Sequence, residues 1–324
     1  MVVCAEDSKN GISTKQKSKI FLYLEMRKSL LLIILISFST YLFAQDTTKL
    51  NPKRLWVAVG SQATVLVGGM AWLNYIWYDG HAKLGFHYYN NDGKEYLNID
   101  KCGHAFSAYQ ESYIAYQSLR WAGVSKKSAI LFGGPVGLIL QTPVEIFDAM
   151  YDGYGFSKND MIANFTGSAL FTFQQLFWDD QIIKPKFSYS PSPYRKYYPS
   201  RLGETQAQSF FLDYNAHTYW LSFPVNKVIH YDKTPKWLNF AVGYSANGMF
   251  GEFENAKVNE FGQAIPDFER YRQFLFSFDI DLTKIPTSNK YLKTTLNVLN
   301  RIKVPFPTLE YNSLGKFKAY GLYF

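Results

Sequence analysis

A chain of 324 residues with 34 Lys+Arg against 26 Asp+Glu carries a formal net charge of +8, with 47% hydrophobic and 18% aromatic residues. Its 19% of charged residues excludes an intrinsically disordered protein, and two cysteines, Cys4 and Cys102, exclude a disulfide framework or a cysteine-rich zinc site. The positive surplus is diffuse, without basic runs, zinc-finger spacing or an RNA-recognition signature, so nucleic acid is not an expected partner.

Residues 1–25 are polar and read as a misassigned start or a dispensable extension. Met26 then opens a short basic segment, Arg27-Lys28, followed by the apolar run Ser29 to Phe43 and Ala44. That order makes residues 26–44 a secretory signal peptide cleaved after Ala44. The run is short for a hydrocarbon core of about 30 Å, which argues against an anchor. The expected address is the bacterial cell envelope, in the periplasm and membrane-associated, with inner or outer membrane left open. The residue directly after Ala44 is Gln45 and not a cysteine, so lipid attachment there is not expected.

The mature chain reads as α+β. From Leu55 to Tyr78 no residue is charged, and such a helix either crosses a bilayer or fills a bundle core, with Gly68 and Gly69 at a close contact. Asn90-Asn91-Asp92-Gly93 marks a turn. A helix is expected from Asp100 to Trp121, closed by Gly123. An apolar stretch from Ser128 to Leu140 is broken at Gly133-Gly134-Pro135, a helix follows Thr142-Pro143, and another runs from Asn159 to about Trp178. Residues 52–184 are thus expected to form an N-terminal bundle of four to five apolar helices.

Pro191, Pro193 and Pro199 among Tyr and Ser make residues 185–200 an expected linker. Residues 201–324 are expected to form a β-rich unit, an antiparallel sheet with one packed helix. Strand patterns lie at Thr218 to Phe223, Trp237 to Tyr244, Arg270 to Leu282 and Phe317 to Phe324. In the third, Phe274, Phe276, Phe278 and Ile280 alternate with mostly polar residues, a period of two that builds an aromatic wall on one face. Leu292, Leu296 and Leu299 have the spacing of a helix packed on this sheet. Pro286, Pro305 and Pro307 interrupt the strand-like runs.

Three polar pairs stand out in the helical unit: Asp100 and His104, Glu145 and Asp148, Asp160 and Asn164. Spacings of three or four put each pair on one helix face, with Gly167 one turn beyond Asn164. If the faces converge, His104, Glu145, Asp148 and Asp160 are candidate catalytic groups for acid–base work, or metal ligands through oxygen and one nitrogen. Asp100, Lys101 and Asn164 are further buried polar candidates. The plainer reading is capping: Thr142-Pro143-Val144-Glu145 and Ser157-Lys158-Asn159-Asp160 fit capping boxes, and Asp100 fits an N-cap. Capping leaves His104, Asp148 and Asn164 unexplained. No nucleophile elbow, His-Glu-x-x-His, phosphate loop or dinucleotide fingerprint occurs, and no cofactor is expected. His217 reads as a local hydrogen-bonding group in a turn, and Asp279 and Asp281 as a solvated strand face.

Asp100-Lys101 with His104, Arg120-Trp121, Thr142 with Glu145 and Asp148, and Gly155-Phe156-Ser157 with Asp160, Asn164 and Gly167 resemble the YfiM-like predicted periplasmic lipoproteins, a family of unknown function. Further motifs extend the likeness over most of residues 50–324, in the longer form of Bacteroidetes-type bacteria: Trp178, Gln181, Tyr214-Asn215, Thr218 to Ser222, Arg270 to Gln273 and Pro307 to Glu310. The helical unit is also similar to VanZ-like membrane proteins on Asp100, Lys101, His104, Glu145, Asp160, Asn164 and Gly167. That implies a membrane-associated bundle linked to envelope or glycopeptide-type antibiotic tolerance, without settled chemistry. The chain departs from the lipoprotein pattern in lacking the lipidated cysteine.

Three functions compete. The first is an envelope protein with a structural or partner-binding role, its partner a membrane lipid surface or an envelope protein. The second is an enzyme, or a protein handling lipid or cell-wall precursors, that uses the His/carboxylate cluster. The third is a small outer-membrane barrel, which needs at least about eight strands. Oligomeric state is not legible.

Overall fold

A computed structural model describes residues 49–324 apart from 77, 79, 80, 90 and 230–232. The expected extension 1–25 and signal peptide 26–44 lie outside the described residues. The charge-free run forms helix α1, Pro52–Ile76. Its N-terminus is capped by Asn51, whose side-chain oxygen accepts from the Arg54 N–H at 3.1 Å. Helices α2 (Ile99–Trp121), α3 (Lys126–Gly133), α4 (Val136–Asp148) and α5 (Lys158–Phe177) follow. Gly123, at φ +85°, ends α2 as a left-handed cap. Strand β1 (Lys184–Tyr189), helix α6 (Gln206–Leu212), strands β2 (His217–Pro224), β3 (Leu238–Asn247) and β4 (Tyr271–Ile280), helix α7 (Lys290–Leu299), and strands β5 (Phe306–Asn312) and β6 (Phe317–Tyr323) complete the chain, with single helical turns left unnumbered.

Helix α2 is the hub: α1, α3, α4 and α5 pack around it, and its first half meets the sheet. Two glycines set how close its neighbours come. A Cβ on Gly137 of α4 would stand 1.9 Å from the Ala108 carbonyl oxygen, and one on Gly167 of α5 would stand 2.1 Å from that of Ala105. Both helices therefore lie backbone to backbone against α2, as small residues permit.

The expected bundle of apolar helices is only partly met. The hub is polar, burying Asp100, Gln110, Ser112 and Ser118, while Leu131, Phe132, Ile139, Phe165 and Phe177 point outward, Phe177 with 71% exposure. The helix expected after Thr142-Pro143 instead begins at Val136, and Pro143 lies inside it. Lys126–Asp148, helices α3 and α4 together, is the one described stretch long and apolar enough to cross a membrane, by length and composition.

The six strands form one antiparallel meander in sequence order, short of eight among the described residues. The expected linker contributes its first strand: Lys184–Tyr189 pairs with β2, Lys186 opposite Trp220. Its other edge is met by residues 301–303, since Phe187 N–H donates to the Arg301 carbonyl and Lys303 N–H to the Phe187 carbonyl, both at 2.9 Å. The prolines that suggested a linker fall after this strand. Pro307 likewise sits within β5, at a register shift between Phe306 and Thr308; a bulge tolerates the missing donor.

The alternation in β4 is observed, and its polar face is the buried one. Gln273, Leu275, Ser277 and Asp279 are inside, whereas Phe274, Phe276 and Phe278 are exposed. Strand β5 repeats this with Thr308, Glu310 and Asn312 inside and Leu309 out. Asp279 and Asp281 are therefore not a solvated face. Asp279 pairs with Lys186 at 2.6 Å, both side chains 0% exposed, and accepts from the Ser222 hydroxyl at 2.7 Å. Asp281 pairs with Lys184. Glu310 accepts from Gln273 and Tyr320 at 2.6 Å each and from Asn312 at 2.8 Å. Buried charge is tolerable only with such partners.

Helix α7 forms, but Leu292 and Leu299 are exposed. It is tied to α2 instead: Tyr113 of α2 donates to Asn297 at 3.2 Å, and the Arg301 guanidinium lies 5.3 Å over the Tyr113 ring. The sheet core yields a test. Lys186→Met leaves Asp279 buried without its cation and should cost about 3–5 kcal/mol of stability, whereas Lys186→Met with Asp279→Leu should recover most of it. Denaturant titration of the three chains measures both effects.

Candidate functional site

The residues that bring α2, α4 and α5 to one centre begin with a backbone contortion. Tyr96, Leu97 and Asn98 all take left-handed φ, at 41°, 54° and 68°, a conformation costing about 1–2 kcal/mol per residue. The turn is held from outside by Tyr96 N–H donating to the Glu252 carbonyl at 2.8 Å and by the Tyr244 hydroxyl donating to the Leu97 carbonyl. It starts α2 at Ile99, so Asp100 is the second helical residue and not the expected N-cap. The same turn aims Glu95 at Lys101.

The Lys101 ammonium lies 2.8 Å from Asp100, 2.9 Å from Glu95, 3.2 Å from Asp160 and 3.6 Å from Asp92. Burial acts to lower its pKa, but Asp100, then Asp160 and Glu95, raise it above the ordinary lysine value. Glu95 is shifted upward, chiefly by burial and then by its contact with Asp100. Asp92 also reaches across to α5, accepting from the Ser157 hydroxyl at 2.8 Å and the Asn159 N–H at 2.9 Å.

Ser157 is the N-cap of α5 as expected, accepting from the Asp160 N–H at 2.9 Å. The reciprocal half of that box is absent, because the Asp160 carboxylate turns to Lys101. The other box is overturned: with Pro143 inside α4, Glu145 caps nothing on its own helix. It is 1% exposed, and its Oε2 accepts the Ser157 N–H at 3.3 Å. His104 lies between the two carboxylates, its Nε2 3.7 Å from Glu145 Oε1 and 4.0 Å from Asp160 Oδ1. Its Nδ1 is 3.1 Å from Asn164 Oδ1. Since an amide oxygen only accepts, Nδ1 carries the proton in a neutral ring and the Nε2 lone pair faces the carboxylates.

Of the residues singled out in the sequence, His104, Glu145, Asp160, Asp100, Lys101 and Asn164 meet here. Asp148 stands apart from the group within ligand distance and accepts the Tyr78 hydroxyl. The sequence reading missed Asp92 and Glu95. Asp92 was visible only as part of a turn, and Glu95 carries no periodic signal because it lies outside the helix it serves. Among the described residues two triads could hold a metal ion, His104-Glu145-Asp160 and Glu95-Asp100-Asp160.

A cleft of about 400 Å³ has Asp100 and His104 in its wall, and most of the remainder is apolar: Val65 and Leu66 of α1, Phe106 of α2, Leu140 and Val144 of α4, Phe210 of α6. Its size falls in the range of small-molecule sites. A larger cleft of about 480 Å³, beside Tyr116, Arg120, Gln175 and Arg301, contains none of the centre's residues. His217 also lines the first cleft, and its Nε2–H donates to the Phe210 carbonyl at 2.9 Å.

Residues 88–176 match the model of a family described as predicted periplasmic lipoprotein (DUF2279), whose function is unknown. The segment holds every residue of the centre. The match supports a predicted periplasmic lipoprotein over residues 88–176 and bears on neither the YfiM-like nor the VanZ-like likeness expected from the motifs. No curated protein and no solved structure matches the chain.

Burial lowers the His217 pKa from 6.5 to about 4, partly opposed by the bond to Phe210. The folded state holds this ring neutral, so its contribution is complete above pH 6.5 and is lost as pH falls toward 4, about 3 kcal/mol in all. His217→Gln keeps a donor for Phe210 without titrating. Between pH 6.5 and 4 it should lose about 3 kcal/mol less stability than the parent chain, read by denaturant melts across that window.

Proposed function

We propose that the chain is an envelope protein seated in a membrane, which takes the apolar chain of an amphiphile into the cleft and presents its polar head to His104, Glu145 and Asp160. The observation that carries this reading is the joining of an apolar cleft to a buried polar centre. The tail of a lipid or lipid-linked precursor suits the walls of Leu66, Phe106 and Leu140. A hydroxyl or ester at its head would come within reach of His104, whose ring Asn164 orients.

Membrane seating is supported by sidedness. Many apolar side chains face outward, Phe132, Phe165 and Phe177 on the helices and Phe274, Phe276 and Phe278 on β4 among them, and the apolar run of α3 and α4 is long enough to cross a bilayer. The matched family's description as a periplasmic lipoprotein agrees with an envelope address. The convergence of His104, Glu145 and Asp160 favours handling or acid–base chemistry over a purely structural role, because scaffolding needs no orphaned carboxylate atoms.

Binding of a fluorescent polyene fatty acid to the purified full chain tests the cleft. Ser107→Trp, which places a large ring in the cleft wall, should weaken binding at least tenfold. His104→Ala, which keeps the apolar walls, should weaken binding less than Ser107→Trp does and should fail to complement a deletion strain. Equal binding by the parent chain and the Ser107→Trp chain would refute the cleft as the tail site.

A further inference from the structure

We infer that His104 Nε2, Glu145 Oε1 and Asp160 Oδ1 bind one divalent transition-metal ion of the zinc class. Their mutual approach, 3.7 Å and 4.0 Å from the imidazole nitrogen to the two oxygens, is too long for hydrogen bonds. It is near the spacing of about 3.4 Å that tetrahedral ligands acquire around an ion at about 2.1 Å. The three ligand atoms all lie within 4.8 Å of one another, so small side-chain rotations bring them to that spacing.

Unpartnered atoms supply the independent observation. Glu145 Oε1 is buried and has no hydrogen-bond partner, and Asp160 Oδ1 has none either, although Lys101 stands at ion-pair distance from the latter. A carboxylate oxygen in a 99% buried side chain without donor or cation is costly, and a metal is a partner that both oxygens and the imidazole lone pair can share. The His104–Asn164 hydrogen bond has the form of an outer-shell contact, orienting the ring and fixing its tautomer for ligation. Charge agrees: Asp92, Glu95, Asp100 and Asp160 share the single Lys101 ammonium, and among the described residues Glu145 has no cation of its own within ion-pair distance apart from the His104 ring. The alternative triad, Glu95-Asp100-Asp160, is already occupied by that ammonium. One histidine and two carboxylates leave a fourth position open, the pattern of catalytic sites.

The inference stands without the amphiphile reading, since its readout is the metal alone. Full-length chain, stripped with a chelator and dialysed against Zn2+, should carry one equivalent by elemental analysis. Co2+ in its place should give the visible absorption of a tetrahedral site. His104→Ala and Glu145→Gln should each lose the ion, and Asn164→Ala should weaken it 10–100-fold. His104→Cys should retain it and add a thiolate charge-transfer band, which keeps the test decisive if the alanine variant does not fold. A parent chain without stoichiometric metal at saturating Zn2+, or metal retained equally by His104→Ala and Glu145→Gln, would overturn the inference. Probe binding in the cleft could persist in either case.

Discussion

Polar side chains in this protein are turned inward in both halves, and each must find its partner within the protein. A buried carboxylate or ammonium is stable only with a counter-charge and hydrogen bonds around it. Lys101 gathers Glu95, Asp100 and Asp160 from three segments, and Lys186 gathers Asp279 and, through it, Ser222. These contacts fix which polar faces of α2, α5, β1 and β4 point inside, beside an apolar cluster of Tyr109, Tyr116, Leu119, Ile130 and Phe171.

The two halves are coupled through α2. Its first turn is fixed by a left-handed backbone segment held by Tyr244 of β3 and by Glu252, and its midpoint is tied to α7 through Tyr113 and Asn297. The sheet thus positions Glu95, and Glu95 helps position Lys101. Backbone strain next to a polar centre persists where surrounding contacts overdetermine it, as they do here. Gly137 and Gly167 complete the geometry by letting α4 and α5 approach α2 closely enough for Glu145 and Asp160 to flank His104.

The cleft and the centre belong to different physical regimes that share a wall. Phe106, Leu140 and Val144 favour a chain without polar groups, while His104 and Asp100 a short distance away offer charge and hydrogen bonds. An amphiphile satisfies both demands at once. The matched family segment contains the whole centre but not the sheet, so the sheet and α6 add walls to a site that the helices alone define.

Helices α1, α2, α5 and α7, four of the strands and the pairing of faces were legible in the residues, because periods of 3.6 and 2 depend only on local geometry. The grouping of Asp100 with His104 and of Asp160 with Asn164 was legible for the same reason. Which face lies inside was not, since alternation is symmetrical until charges from distant segments decide it. Glu145 illustrates this: its local context reads as a cap, and only the passage of α4 through Pro143 turns it to the centre. Asp92, Glu95 and strand β1 were hidden likewise, their roles arising from partners up to about a hundred residues away, at Lys101, Asn159 and Asp281. Sequence determined the local periodicity and the reserve of charge; tertiary structure decided the sidedness, because burying a charge depends on a counter-charge that only folding brings near.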